Sequence, residues 1–264
     1  MAIDSLPVGN VKCDYISRAE FIDLCKKWLN GQEQHHIVTL NPEMVVEASR
    51  NKCFARNVQE ASIRVPDGAG LIWARWYLRS PRWTLIPSLM LFPFVHTERI
   101  TGVDAIDDIC RICAGQDLSV YLLGGTTEEA KATAKRLRGL FPSLKLHIAP
   151  PHLYDPNGPE PIISLIKKAQ PSVLLVAYGA VKQTQWIQTH CLKIPSIKIA
   201  MGVGGAFAIL GEHKRRAPSW LLKHNFEWLW RLLLEPSRLP RIYNATIVFP
   251  HLIKHQKQRS LVEE

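Results

Sequence analysis

The chain has 264 residues, of which 47% are hydrophobic, and a formal net charge of +10. That is enough apolar material for a sizeable core and far too much for a disordered chain. The charge is not spread evenly. Residues 211–264 carry ten Lys and Arg against five Asp and Glu, and residues 75–99 carry four Arg against one Glu. These two segments hold eight of the ten excess charges and many of the aromatics, so they form patches that attract phosphate, whether on nucleic acid, anionic lipid or a nucleotide.

Six cysteines stand at 13, 25, 53, 110, 113 and 191. Their dispersal argues for reduced, mostly buried thiols rather than a disulfide framework, and Cys110 and Cys113 form a lone CxxC without a second pair. No secretory signal opens the chain. The most apolar run, 85–95, is short and broken by two prolines, where a span needs about 20 residues. A cytoplasmic protein that lies on a membrane without crossing it is expected. No zinc spacing appears among the ten histidines, and no recognised nucleic-acid motif accompanies the charge.

In chain order, Ser17 and Glu20 form a capping box that opens a helix through Leu29. HHIVTL (35–40) reads as a strand, and Pro42 starts the next helix. ASIRVPDG (61–68) is a strand ending in a turn, followed by a helix to about Tyr77. Residues 78–98 interrupt the rhythm with a proline-broken, aromatic insertion. Residues 102–114 are helical. SVYLLGG (119–125) is a buried strand leading into a second capping box, Thr126 with Glu129. LKLHIA (144–149), SVLLVAYG (172–179) and SIKIAMG (196–202) are further strands with helices between them. This alternation predicts an α/β body, residues 1–210, with a Rossmann-like parallel sheet covered by helices on both faces. Residues 211–264 read as a helical, basic appendage, with ATIVF (245–249) as its one candidate strand. Asp104, Asp107 and Asp108 read as a solvated helix face.

Loops at the C-terminal ends of parallel strands are where ligands bind. Thr39 and Asn41 end one strand, and Asn41 reads either as a helix start or as a site residue. Asp67 ends another, either as a turn aspartate or as a general base held at the sheet edge. Gly124 and Gly125 precede a helix N-terminus, either as a tight turn or as a phosphate cradle. Gly202, Gly204 and Gly205 give GxG without the third dinucleotide-type glycine, which is replaced by Phe207. Lys182 and Gln183 start a helix, as solvated residues or as ligand contacts. Without an acidic metal-diphosphate motif, a diphosphate here would be neutralised by arginines, whose fork matches phosphate oxygens.

TLNPEM, VPDGAGLIWA, ERITGVD, VYLLGG, the Lys182-Gln183 pair, GVGGAF, KRRAPSW and FEWLWRLLLEPSR fall in the order and spacing of the WecG/TagA/CpsF glycosyltransferases. The chain resembles that family over roughly residues 8–243. The resemblance implies an enzyme that moves a sugar from a UDP-sugar to a polyprenyl-diphosphate-linked sugar at the inner face of the cell membrane, with inversion and without a metal cofactor. It implies N-acetylmannosamine, its uronate or glucose as the donor sugar, an anionic membrane surface as a contact, and no nucleic acid as a partner. A homo-oligomer is compatible with it. It implies Asp67 as base, Thr39 and Asn41 beside it, Arg99 in the active site, and Gln183 as the KQ glutamine. Arg231, Arg238 and Arg241 are implied as appendage arginines that reach the nucleotide diphosphate, with Gly124, Gly125, Lys182 and Gly204 expected near the nucleotide sugar. Val181 and Thr184 stand where the family usually has Pro and Glu, and Ala208 where it often has Asp. A non-catalytic scaffold on the membrane is the alternative reading.

Overall fold

The computed structural model describes residues 3–80, 100–150, 160–211, 218, 220, 221, 224 and 227–263. Most of the 78–98 insertion therefore lies outside the described residues.

Six parallel strands form one sheet: β3 (His35–Leu40), β4 (Ile63–Pro66), β5 (Ser119–Gly124), β6 (Lys145–Ile148), β7 (Val173–Ala177) and β8 (Ile199–Gly202), in the order β4-β3-β8-β7-β5-β6. A separate hairpin, β1 (Asp4–Val8) and β2 (Val11–Tyr15), precedes them. The strands read as continuous apolar runs because both faces are covered. Register separates the two faces cleanly. Leu122, Leu175, Met201, Ile37 and Ile63 pair in one row straight across the sheet and are all fully buried. On that face pack α1 (Arg18–Asn30), α5 (Gly102–Gly115), α6 (Thr127–Leu140) and α9 (Ala206–Leu210).

The opposite face is covered in two parts. Tyr121, Leu174 and Ala200 meet α7 (Glu160–Ala169) and α8 (Ala180–His190). Val38 and Leu40 meet α2 (Pro42–Arg50), α3 (Lys52–Gln59), α4 (Ala69–Arg79) and the hairpin. Both expected capping boxes are formed, at Ser17 with Glu20 and at Thr126 with Glu129. All six cysteines are free, and Cys110 and Cys113 are buried on α5. The aspartates of α5 depart from a solvated face. Asp108 is 2% exposed and held by two hydrogen bonds from Arg18, at 2.7 and 2.8 Å, and Asp107 pairs with Arg136. Among the described residues no helix is long and apolar enough to cross a membrane.

After α9 the described chain forms α10 (Glu227–Leu234), a 3-10 turn at Pro236–Arg238, α11 (Leu239–Tyr243), a π-turn at Asn244–Val248 and α12 (Phe249–Glu263). ATIVF is thus not a strand: its β-branched residues sit in the π-turn that feeds α12. Tertiary packing overrides the local preference, because Phe249 and Ile253, one turn apart, are fully buried among α2, α3, α4 and the hairpin. Gln256 donates to Pro7 O and accepts from Gly9 N, and Lys257 Nζ donates to Tyr77 O at 2.6 Å. The last helix shares the core of the body. Each of Phe249 and Ile253 is worth about 2–5 kcal/mol there, against a total stability of about 5–15 kcal/mol. A chain ended at Gly211 is therefore expected to lose its cooperative thermal transition. A folded truncated body with an unchanged Tm would show that α12 is dispensable to the fold.

His36 gives the sheet an acid-sensitive point. Gln188 Nε2 lies 3.0 Å from its Nδ1, and its buried Nε2 has no hydrogen-bond partner among the described residues. Burial, with a smaller contribution from Arg64, pushes its pKa down from 6.5 to about 3. The folded pKa is depressed, so the unfolded chain takes up the proton first as pH falls. Stability is complete above pH 6.5 and declines below it, by about 2 kcal/mol at pH 5. Urea denaturation at pH 7 and pH 5 checks this: His36→Asn should lose less between the two than the parent chain, and equal losses would remove His36 as the cause.

Candidate active site

All six strands run parallel, so their C-terminal ends open on one edge of the sheet. At the end of β3, Thr39 is 8% exposed and its Oγ1 lies 3.5 Å from Gly202 O on β8. Asn41 caps α2: its Oδ1 accepts from Met44 N at 3.0 Å, and Pro42 fills the first turn. The Oδ1 is committed to the cap, which leaves the Nδ2 donor for a ligand. At the end of β4, Asp67 N donates to Leu40 O at 2.6 Å, extending the ladder by one residue and setting Asp67 beside Asn41. Gly68, at φ 107°, then turns the chain into α4, a conformation only glycine adopts without strain.

The start of α5 closes this corner. Thr101 caps the helix, accepting from Asp104 N at 3.2 Å. A Cβ on Gly102 would lie 3.7 Å from Thr39 Oγ1 and 3.8 Å from Asp67 Oδ2. The Thr-Gly of ERITGVD therefore brings the hydroxyl, the carboxylate and the α5 N-terminus together. Arg99, expected in the same motif, lies outside the described residues.

On the other side, Gln183 is not a surface contact. It is 5% exposed, and its Oε1 accepts from Gly204 N at 2.9 Å. A Cβ on Gly202 would sit 2.6 Å from its Nε2, so Gln183 lies flat over the end of β8 and fixes the glycine loop. Lys182, its neighbour, points to solvent and does not line the cavity. Thr184 and Ala208 are 1% and 3% exposed. Gly124 and Gly125 also stay outside the cavity. Their φ values are 90° and 72°, Gly125 N donates to Ala177 O, and a Cβ on Gly124 would lie 2.6 Å from the Tyr178 ring. They allow the ends of β5 and β7, parallel neighbours in the sheet, to lie close together.

The C-terminal segment roofs the open edge. A cavity of about 450 Å³ is lined by Asn41, Gly102 and Gly204 from the body and by Trp230, Arg238 and Arg241 from above. This volume lies in the range of small-molecule sites, about 300–1,000 Å³. The Arg238 Nε donates to the Glu235 carboxylate, and Arg238 is one-fifth exposed. Arg241 is exposed at the cavity and makes no ion pair among the described residues. Arg231 belongs to α10, and its side chain lies outside the described set. Sequence reasoning missed Thr101, Trp230 and Asn244, and also the two carboxylates Glu43 and Glu47, which line the cavity from α2. Their i, i+4 spacing was readable, but which face of α2 meets the cavity depends on the tertiary fold.

The sequence that builds this edge and its roof has relatives. Residues 6–261 match the family described as "Glycosyl transferase WecG/TagA/CpsF family". The chain belongs to this family of glycosyltransferases. It is 28% identical over 250 residues to a Staphylococcus aureus (strain MRSA252) protein named N-acetylglucosaminyldiphosphoundecaprenol N-acetyl-beta-D-mannosaminyltransferase, covering 94% of this chain and 92% of that one. The protein of the same name from S. aureus strain NCTC 8325 / PS 47 is similar to the same extent. The WecG/TagA/CpsF match spans both the strand-edge residues and the arginine segment.

Proposed function

We propose that this glycosyltransferase moves an N-acetylmannosamine-type sugar from a UDP-sugar to a polyprenyl-diphosphate-linked sugar, inverting the anomeric centre and using no metal. The observation that carries the reading is one cavity with Asn41 and Gly102 on its floor, Asp67 and Thr39 within van der Waals reach of Gly102, and Arg238 and Arg241 in its roof. In this reading Asp67 removes the proton of the acceptor hydroxyl as its oxygen attacks the anomeric carbon. The bond from that carbon to the diphosphate oxygen breaks on the opposite face, and UDP leaves. Arg238 and Arg241 neutralise the charge that builds on the diphosphate, a task a metal performs elsewhere.

The outer side of the roof supports a lipid-linked acceptor at the inner face of the cell membrane. Trp220, Leu233, Leu239, Tyr243 and Ile247 are all more than half exposed in the same segment as the arginines. Aromatic and aliphatic side chains beside cationic ones favour a bilayer interface. The test is transfer from UDP-N-acetylmannosamine to an N-acetylglucosaminyl-diphospholipid, read as UDP release and as product mass. Turnover should persist in EDTA. Turnover that stops in EDTA and returns with magnesium would reject the metal-free mechanism, and binding without turnover would favour a scaffold.

A further inference from the structure

The last helix carries a pair of imidazoles that the proposed reaction does not use. His251 and His255 stand one turn apart on α12, and both are exposed. Their Nε2 atoms converge to 2.9 Å, with the ring centroids 4.4 Å apart and the ring planes at 78°. Neither ring makes another hydrogen bond or an ion pair among the described residues. Two rings that could each turn to water instead aim their nitrogens at one point. As a hydrogen bond, this contact uses one N–H and one lone pair. A metal ion takes the place of that proton and accepts a lone pair from both rings. The helix fixes the arrangement from its other side. Phe249 and Ile253 are fully buried, Lys257 donates to Tyr77 O, and Gln256 bonds to Pro7 O and Gly9 N. The backbone between the histidines is ordered before any ligand arrives, so binding costs little further entropy.

We propose that His251 and His255 form a surface binding site for a divalent transition-metal ion, with Cu(II) bound most tightly. With metal–nitrogen bonds of about 2.0–2.1 Å, nitrogens 2.9 Å apart subtend about 90° at the metal. That angle joins adjacent positions of a square-planar or octahedral ion and is narrower than a tetrahedral ion prefers. Imidazole suits Cu(II), Ni(II) and Zn(II), whereas Mg(II) takes oxygen ligands. No group of three or more potential metal ligands forms among the described residues. The pair is therefore short of a structural or catalytic zinc centre, and water completes the coordination. Neither histidine lines the cavity, so the site stands apart from the transfer reaction. By linking two turns, a bound ion stiffens the helix whose buried side chains tie the roof segment to the body.

The probe is Cu(II) or Ni(II) chloride alone, added to the untagged full-length chain. Electron paramagnetic resonance of the Cu(II) titration should show a tight site with nitrogen ligands in the coordination plane. His251→Gln or His255→Gln should weaken that site at least ~100-fold, because the second imidazole binds intramolecularly. Both side chains are exposed, so neither change disturbs the core. His255→Gln/Gln258→His keeps the number of histidines but sets the rings two turns, about 10 Å, apart. It should bind as weakly as the single variants. Ni(II) should raise the Tm of the parent by ~3 °C and leave that of His251→Gln/His255→Gln unmoved. Equal Cu(II) affinity in the parent and the double variant, or a respaced variant that binds as tightly as the parent, would overturn the inference.

Discussion

Asp67→Asn should lower kcat by roughly 10²- to 10⁴-fold, the usual contribution of a positioned general base. The UDP-sugar dissociation constant should stay within a few-fold of the parent value. The substitution keeps the shape of the side chain and the backbone bond from Asp67 N to Leu40 O, which holds β4 against β3. It removes the negative charge and replaces one carboxylate oxygen with an amide donor, so the side chain can no longer take up the proton. A thermal transition close to that of the parent would confirm that the loss is chemical. Stopped assays of product formation, with isothermal titration of the donor, provide both readouts. Turnover within a factor of three of the parent would take Asp67 out of the proton transfer.

The second large effect is expected at the roof. Arg241→Ala should reduce kcat by roughly 10²- to 10³-fold, as for other donors aimed at developing negative charge. At about 4 Å and an effective dielectric near 20, one such charge contact contributes on the order of 4 kcal/mol before desolvation. Arg241 is the cleaner of the two positions because it makes no ion pair among the described residues. Arg238→Ala also removes a hydrogen bond to the Glu235 carboxylate, so its loss combines catalysis with a local rearrangement. Lysine should rescue either position only partly, because an ammonium cannot span two phosphate oxygens as a guanidinium does. The measurement is kcat and UDP affinity for Arg241→Ala and Arg241→Lys; an Arg241→Ala enzyme with parental kcat would place the diphosphate elsewhere.

Much of this site was legible because parallel strands deliver their ends to one edge. HHIVTL-N and IRVP-D announce both the strands and the polar residues that follow them. The alternation of faces within SVYLLG could not be seen in a run that is apolar throughout, and it emerged only from the register across β5, β7 and β8. The β1–β2 hairpin was missed although Gly9-Asn10 is a turn signal, because each strand is only five residues long. The glycine pair at 124 and 125 carries the same letters whether it cradles phosphate or lets two paired strand ends lie close together. Here Tyr178 and Ala177 O fill the space a Cβ would need at Gly124, and Phe207 and Glu129 crowd it at Gly125. The charge shift at Gly211 read as a domain boundary, yet Phe249 and Ile253 return the chain to the core. The exposed part of that segment mixes Trp, Leu and Tyr side chains with basic ones, and two buried side chains decide where it packs.

The central claim is that the C-terminal arginines, without a metal, hold the departing diphosphate over the edge that carries Asp67. The most direct test is a crystal structure of the protein with UDP, prepared in EDTA. The β-phosphate should lie within about 3 Å of the Arg238 or Arg241 guanidinium nitrogens, the normal length of a charge-assisted hydrogen bond, with Asp67 facing the space where the sugar would sit. UDP bound at Gly124 and Gly125 with both arginines turned away, or UDP that binds only when magnesium is restored, would contradict the claim.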